Sequence, residues 1–97
     1  MIIRICTEDK NHERVRDLCA KRFDAFTIYH GMGAWKGRLE PSMTIEIAVL
    51  AAQNPLNRSL AVEEAQRDVW ALAHAIKELN QQEAVLIEYV ESVNSLI

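Results

Sequence analysis

The sequence predicts an α+β fold of the ferredoxin-like kind: an antiparallel sheet with two helices on one face, in the order strand–helix–strand–strand–helix–strand. Three observations predict it. Residues Met43 to Val49 alternate strictly, with Met43, Ile45, Ile47 and Val49 on one face and Thr44, Glu46 and Ala48 on the other, the period of a half-buried strand. Two longer stretches, His12 to Phe26 and Ser59 to Leu79, carry apolar residues every three or four positions, the period of a helix with one buried stripe. Short β-branched segments stand before the first helix and after the second. The 97 residues suit one domain spanning 1–97.

In chain order, Ile2 to Thr7 reads as a strand and Thr7-Glu8-Asp9-Lys10-Asn11 offers several helix caps. Val15, Leu18, Cys19, Phe23 and Phe26 form the buried stripe of the first helix, while Arg14, Arg16, Asp17 and Lys21 take its wet side. Thr27 to His30 has strand character. Gly31 to Ser42 holds all three glycines and reads as a loop. After the alternating strand, Gln53 to Ser59 is a connection whose Ser59 suits an N-cap, with Glu63 and Glu64 at the positive end of the helix dipole. Val62, Ala65, Val69, Leu72, Ile76 and Leu79 bury one side of that helix. Glu83 to Val90 is the last strand, followed by a tail, Glu91 to Ile97, without a clear pattern. With both helices on one sheet face, residues such as Ile2 and Ala48 leave the other face partly apolar, which calls for a second copy.

Composition narrows the function. A formal net charge of −3 argues against nucleic acid and anionic membrane as partners. No apolar run is long enough to span a bilayer, and Met1 to Cys6 does not read as a signal peptide. Cys6 and Cys19 form no CxxC and read as small hydrophobes in a reducing cytoplasm. His12, His30 and His74 have no metal-ligand spacing, so neither a metal nor a cofactor is expected. The standard hydrolase, P-loop, dinucleotide and zinc-protease motifs do not occur.

The segment Tyr29 to Glu40 surrounds Trp35 with glycines and closes on a carboxylate. An aromatic face and a carboxylate both attract cations, and a carboxylate also accepts hydrogen bonds from ribose hydroxyls. A cationic or nucleoside ligand would fit. The plainer alternative is a hairpin loop with Trp35 covering the core and Glu40 in water, and composition alone favours it. A second polar cluster, Gln81-Gln82-Glu83, stands at the helix-to-strand junction, where ligands often bind; good helix formers ending a helix explain it equally. Glu46 and Glu88 could be pocket acids, but read more readily as inter-subunit hydrogen-bonding or solvated strand residues.

Tyr29, then Gly33-Ala34-Trp35-Lys36-Gly37-Arg38-Leu39-Glu40-Pro41-Ser42, then the alternating strand, then Gln82-Glu83-Ala84-Val85-Leu86-Ile87 resembles the phage enzymes that degrade S-adenosylmethionine (SAM). These were long described as SAM hydrolases and are better described as SAM lyases, with a fold like the trimeric PII signalling proteins. The resemblance runs from Tyr29 to Tyr89. It implies a site between subunits of a homotrimer, with Tyr29 and Glu40 as catalytic residues and Trp35, Gln82 and Glu83 contacting substrate. It further implies release of 5′-methylthioadenosine and L-homoserine lactone in the host cytoplasm, as phage counter-defence against restriction and methylation. The competing readings are a PII-like module that binds an adenine nucleotide without chemistry, and a protein whose apolar sheet face serves assembly alone.

Overall fold

A computed structural model describes residues 1–49 and 55–90, and the backbone alone over 55–58. The elements are β1 (Ile2–Glu8), α1 (His12–Arg22), β2 (Thr27–Trp35), β3 (Arg38–Ala48), α2 (Pro55–Asn80) and β4 (Leu86–Val90). The strands form one sheet in the order β2-β3-β1-β4, with every adjacent pair antiparallel. That is the ferredoxin-like α+β arrangement.

The alternation in β3 does what its pattern demands. Met43, Ile45 and Ile47 are buried, beside Ile3 and Ile5 of β1. The helices lay Val15, Cys19, Val69, Leu72, Ala73 and Ile76 onto the same layer, and these residues form one core. Both helices therefore cover one sheet face. The other face carries Ile2 opposite Ala48, Cys6 opposite Thr44, and Tyr29 in register with Thr44 on the far side of β3. Its centre is ionic: Arg4 donates to Glu46 at 3.0 Å and to Glu88 at 3.2 Å. These bonds, Glu46 first, push the Arg4 pKa up. Glu46 and Glu88 thus serve an intrachain network on the open face.

The segment expected to be a loop, Gly31 to Ser42, is instead most of a long β-hairpin. The two-residue turn is Lys36-Gly37, with φ of 50° and 79°. Two consecutive positive φ values are what a tight hairpin turn of the type I′ class requires, because its twist matches that of the strands. Gly31 and Gly33 lie within β2, and the glycine content that suggested a loop sits on a strand. β1 ends at Glu8, opposite Ser42, so the hairpin beyond that point overhangs the sheet. Met32 and Leu39 are consequently exposed on the overhang.

Two further boundaries differ from expectation. α1 stops at Arg22, and the extended Phe23 closes it with a backbone bond to Cys19; Phe26 packs against the core from the following segment. α2 begins at Pro55, a favoured first helical residue, so Ser59 is inside the helix. The last strand begins at Leu86, three residues later than the expected start at Glu83, because the chain bends at Glu83 on leaving α2. The expected connection at Gln53 and Asn54 and the tail Glu91 to Ile97 lie outside the described residues.

The end of α2 closes on a left-handed residue, Gln81, at φ 52°. Gln81 N–H donates to the Glu78 carbonyl, and Gln82 N–H donates to the Lys77 carbonyl. This paired closure usually employs glycine. Gln81→Gly is therefore expected to stabilise the chain by about 0.5–1 kcal/mol, the relief of the left-handed strain less the added unfolded-state entropy. Urea unfolding would measure it, and a destabilised variant would contradict it.

Candidate functional site

The overhang of the hairpin and the turn out of α2 face each other across the end of β1. Between them runs a groove of about 430 Å³, within the usual range for small-molecule sites. Gly33, Ala34, Trp35 and Glu40 form one wall; Gln82, Glu83, Ala84, Val85 and Leu86 form the other; Cys6, Thr7, Ser42 and Thr44 lie between. Gly33 eases the close approach of the strands, since a Cβ there would stand 3.3 Å from the Ser42 Cβ, tighter than ordinary contact.

Four of the five residues singled out in the sequence, Trp35, Glu40, Gln82 and Glu83, line this groove. Tyr29 does not. It shares the open sheet face with Trp35 but stands six residues away along β2, about 20 Å at the rise of an extended strand, and is half-exposed.

Gln82 is held by a network that fixes its wall. Its Oε1 accepts from the Thr7 hydroxyl and from Asn80 Nδ2, the latter at 3.0 Å, and its Nε2 donates to the Ala84 carbonyl at 3.3 Å. Asn11 Nδ2 donates to Asn80 Oδ1 at 2.9 Å. Thr7 and Asn80 are the buried polar residues among those described, and this network satisfies them. It joins the end of β1, the start of α1 and the end of α2. Asn11 sits at the N-cap in a left-handed conformation without capping by its side chain. That amide is committed to Asn80 instead.

The charge of the groove is one-sided. Its titratable lining residues, apart from Cys6, are Glu8, Glu40 and Glu83. Lys10 pairs with Glu8 at 2.7 Å, and Lys36, at the hairpin turn, pairs with both Glu83 oxygens at 2.8 and 3.0 Å. Glu40, half-buried, has no ion pair or hydrogen-bond partner among the described residues. Lys36 also stands 5.9 Å from the centre of the Trp35 ring. Thr7, Asn11, Asn80 and Lys36 were not singled out in the sequence, because each acts through a partner distant in the chain.

The remaining polar residues have local explanations. His30 meets Asp9 at 3.0 Å and lies edge-on to His12, and His74 rests against Trp70. Among the described residues no group of three or more histidines, cysteines and acids is placed to hold a metal, and no helix is long and apolar enough to cross a membrane. A shallow depression outside α2, lined by Glu63, Gln66, Arg67, Trp70 and Tyr89, contains none of the residues singled out.

The two thiols are free and differently placed. Cys19 is fully buried, and burial pushes its thiol up to about 11. Cys6 is half-buried at the groove floor. Brief alkylation of the folded chain near neutral pH is expected to modify Cys6 and to spare Cys19 until the chain unfolds. Peptide mass spectrometry would read the sites, and equal labelling of both thiols would contradict this placement.

No protein-family profile and no curated protein matches the chain. Among solved structures, it is similar to a phage SAM lyase in complex with S-methyl-5′-thioadenosine, at 22% identity and a TM-score of 0.55, over 89% of this chain and 76% of that one. The same kind of enzyme in its apo state matches at 21% identity and a TM-score of 0.55, over 89% and 75%. At these identities the likeness shows a common fold.

Proposed function

We propose that the chain is a SAM lyase, binding SAM in the groove between the hairpin and the Gln82–Leu86 segment. The observation that carries this reading is the groove's charge. An aromatic wall and a carboxylate, Glu40, without a partner among the described residues suit a cationic nucleoside. Of the nearby cations, Lys10 and Lys36 are paired with Glu8 and Glu83, and Arg38, in register with Trp35, is not among the groove's lining residues, which leaves poor provision within the groove for the phosphates of a nucleotide. The electrostatics therefore favour SAM over the nucleotide-sensor alternative. The fold shared with phage SAM lyases supports the same reading.

The chemistry asks little of the protein. An oxygen of the substrate's own carboxylate attacks its γ-carbon, the carbon–sulfur bond breaks, and the electron pair goes to sulfur. The products are L-homoserine lactone and neutral 5′-methylthioadenosine. No water enters and no general acid is needed. The carboxylate and sulfonium charges decline together in the transition state, so the protein's contribution is to fold the substrate for attack.

In this reading Glu40 accepts hydrogen bonds from the ribose hydroxyls or the amino group, away from the sulfonium. Stabilising the reactant cation at sulfur would oppose the reaction. Trp35 walls the adenosine, Glu83 contacts substrate, and Gln82 holds its wall and offers the remaining N–H. Tyr29, exposed on the same face but remote from its own groove, completes the site of an adjoining copy in a homotrimer. Its role is to position the reacting end of the substrate. Depletion of host SAM would then counter restriction and methylation.

Incubating the chain with SAM and identifying the products by mass spectrometry tests the reading. Methylthioadenosine with homoserine lactone is expected. Homoserine formed before any lactone would indicate hydrolysis, and intact SAM at high protein concentration would overturn the proposal. Binding of an adenine nucleotide without turnover would select the sensor alternative.

A further inference from the structure

We infer that the Glu83 carboxylate and the face of Trp35 form a cation subsite at the mouth of the groove, occupied in the free chain by its own Lys36 ammonium. An organic ammonium, in the proposed reaction the substrate's amino group and not its sulfonium, then binds by displacing Lys36. This inference rests on the groove being a ligand site.

Three features carry it. The Lys36 ammonium contacts both oxygens of Glu83, at 2.8 and 3.0 Å, and stands 5.9 Å from the Trp35 ring centre, within the reach of a cation–π contact. A carboxylate on one wall and an aromatic face on the other thus hold one positive charge between them. The cation is also tethered at a defined point, the left-handed first residue of the hairpin turn, at φ 50°. Finally, Lys36 and Glu83 are each 65% exposed. An ion pair this wet holds weakly, so a ligand can exchange for it without unfolding any element. Lys36 would act as a built-in competitor that weakens cation binding and leaves neutral ligands unaffected.

The difference between substrate and product fits this arrangement. SAM carries a sulfonium and an ammonium, whereas methylthioadenosine carries neither. When the lactone departs with the ammonium, Lys36 returns to Glu83, and nothing in the neutral methylthioadenosine competes with the returning pair.

The test uses tetramethylammonium, a cation without adenosine, titrated into the full chain while the two tryptophan indole N–H resonances are followed. The probe is expected to shift Trp35 and to leave Trp70, exposed on α2, unmoved. Lys36→Met and Lys36→Gln are expected to bind it about two- to fivefold more tightly, and Glu83→Gln to bind it more weakly than the wild type. No shift at Trp35, equal affinity in the wild type and both Lys36 variants, or binding that survives Glu83→Gln would overturn the subsite. SAM cleavage without probe binding would remove the subsite and leave the proposed function. Probe binding without SAM cleavage would remove the proposed function and leave the subsite.

Discussion

Replacing Glu40 with glutamine is expected to lower kcat/KM for SAM about 10- to 100-fold, the worth of a charge-assisted hydrogen bond or two. Stability should stay within about 0.5 kcal/mol of wild type, because Glu40 has no partner within the described chain to lose. The isosteric amide keeps one acceptor oxygen but replaces the other by a donor, and it removes the charge. If Glu40 binds ribose or the amino group equally in ground and transition states, the loss lies in KM. If it holds the folded conformation needed for lactone closure, the loss lies in kcat. Initial rates of methylthioadenosine release, with urea unfolding of the same preparation, read both quantities. An unchanged kcat and KM would remove Glu40 from the site.

The core of this fold was legible because its residues obey local periods. Met43, Ile45 and Ile47 in β3 and Val69, Leu72 and Ile76 in α2 are buried where their spacing put them. The hairpin was not legible, because its glycines carry two opposite meanings. Gly37 makes the turn, at φ 79°, whereas Gly31 and Gly33 are strand residues, and only Gly33 lines the groove. Composition cannot separate those uses; only the register against Ser42 and Glu40 does.

The groove itself is a long-range object. Glu40 stands opposite Gln82 and Glu83 only because β3 pairs with β1 and β1 with β4, which brings the start of one strand beside the approach to another. Local pattern left those residues with plain alternatives, and family resemblance was the sole sequence signal joining them. Tyr29 was joined to Glu40 by resemblance alone, and the length of β2 sets it about 20 Å along the open face from Trp35. The amide network escaped notice for the same reason as the groove, since Thr7 and Gln82 lie 75 residues apart.

That network makes Gln82 the residue whose loss should affect both stability and site. Gln82→Ala is expected to destabilise the chain by about 2–3 kcal/mol, because the Thr7 hydroxyl and one Asn80 amide proton lose their acceptor. Thr7 and Asn80 are only 5% and 4% exposed, so water replaces that acceptor poorly. For a chain of 97 residues such a loss is a large share of total stability. Gln82→Glu keeps an acceptor for both donors but turns the Ala84 carbonyl's donor into a second acceptor, and should recover part of the loss. Urea unfolding of the pair measures the stability effect. Activity assayed well below the unfolding transition separates the two roles. A Gln82→Ala chain that stays folded should cleave SAM poorly, because the wall that carries Glu83 loses its side-chain bonds to Thr7 of β1 and Asn80 of α2. If it were as stable as wild type, the network would be ornamental. If it were unstable yet fully active while folded, Gln82 would serve the fold alone, and substrate recognition would rest on Trp35, Glu40 and Glu83.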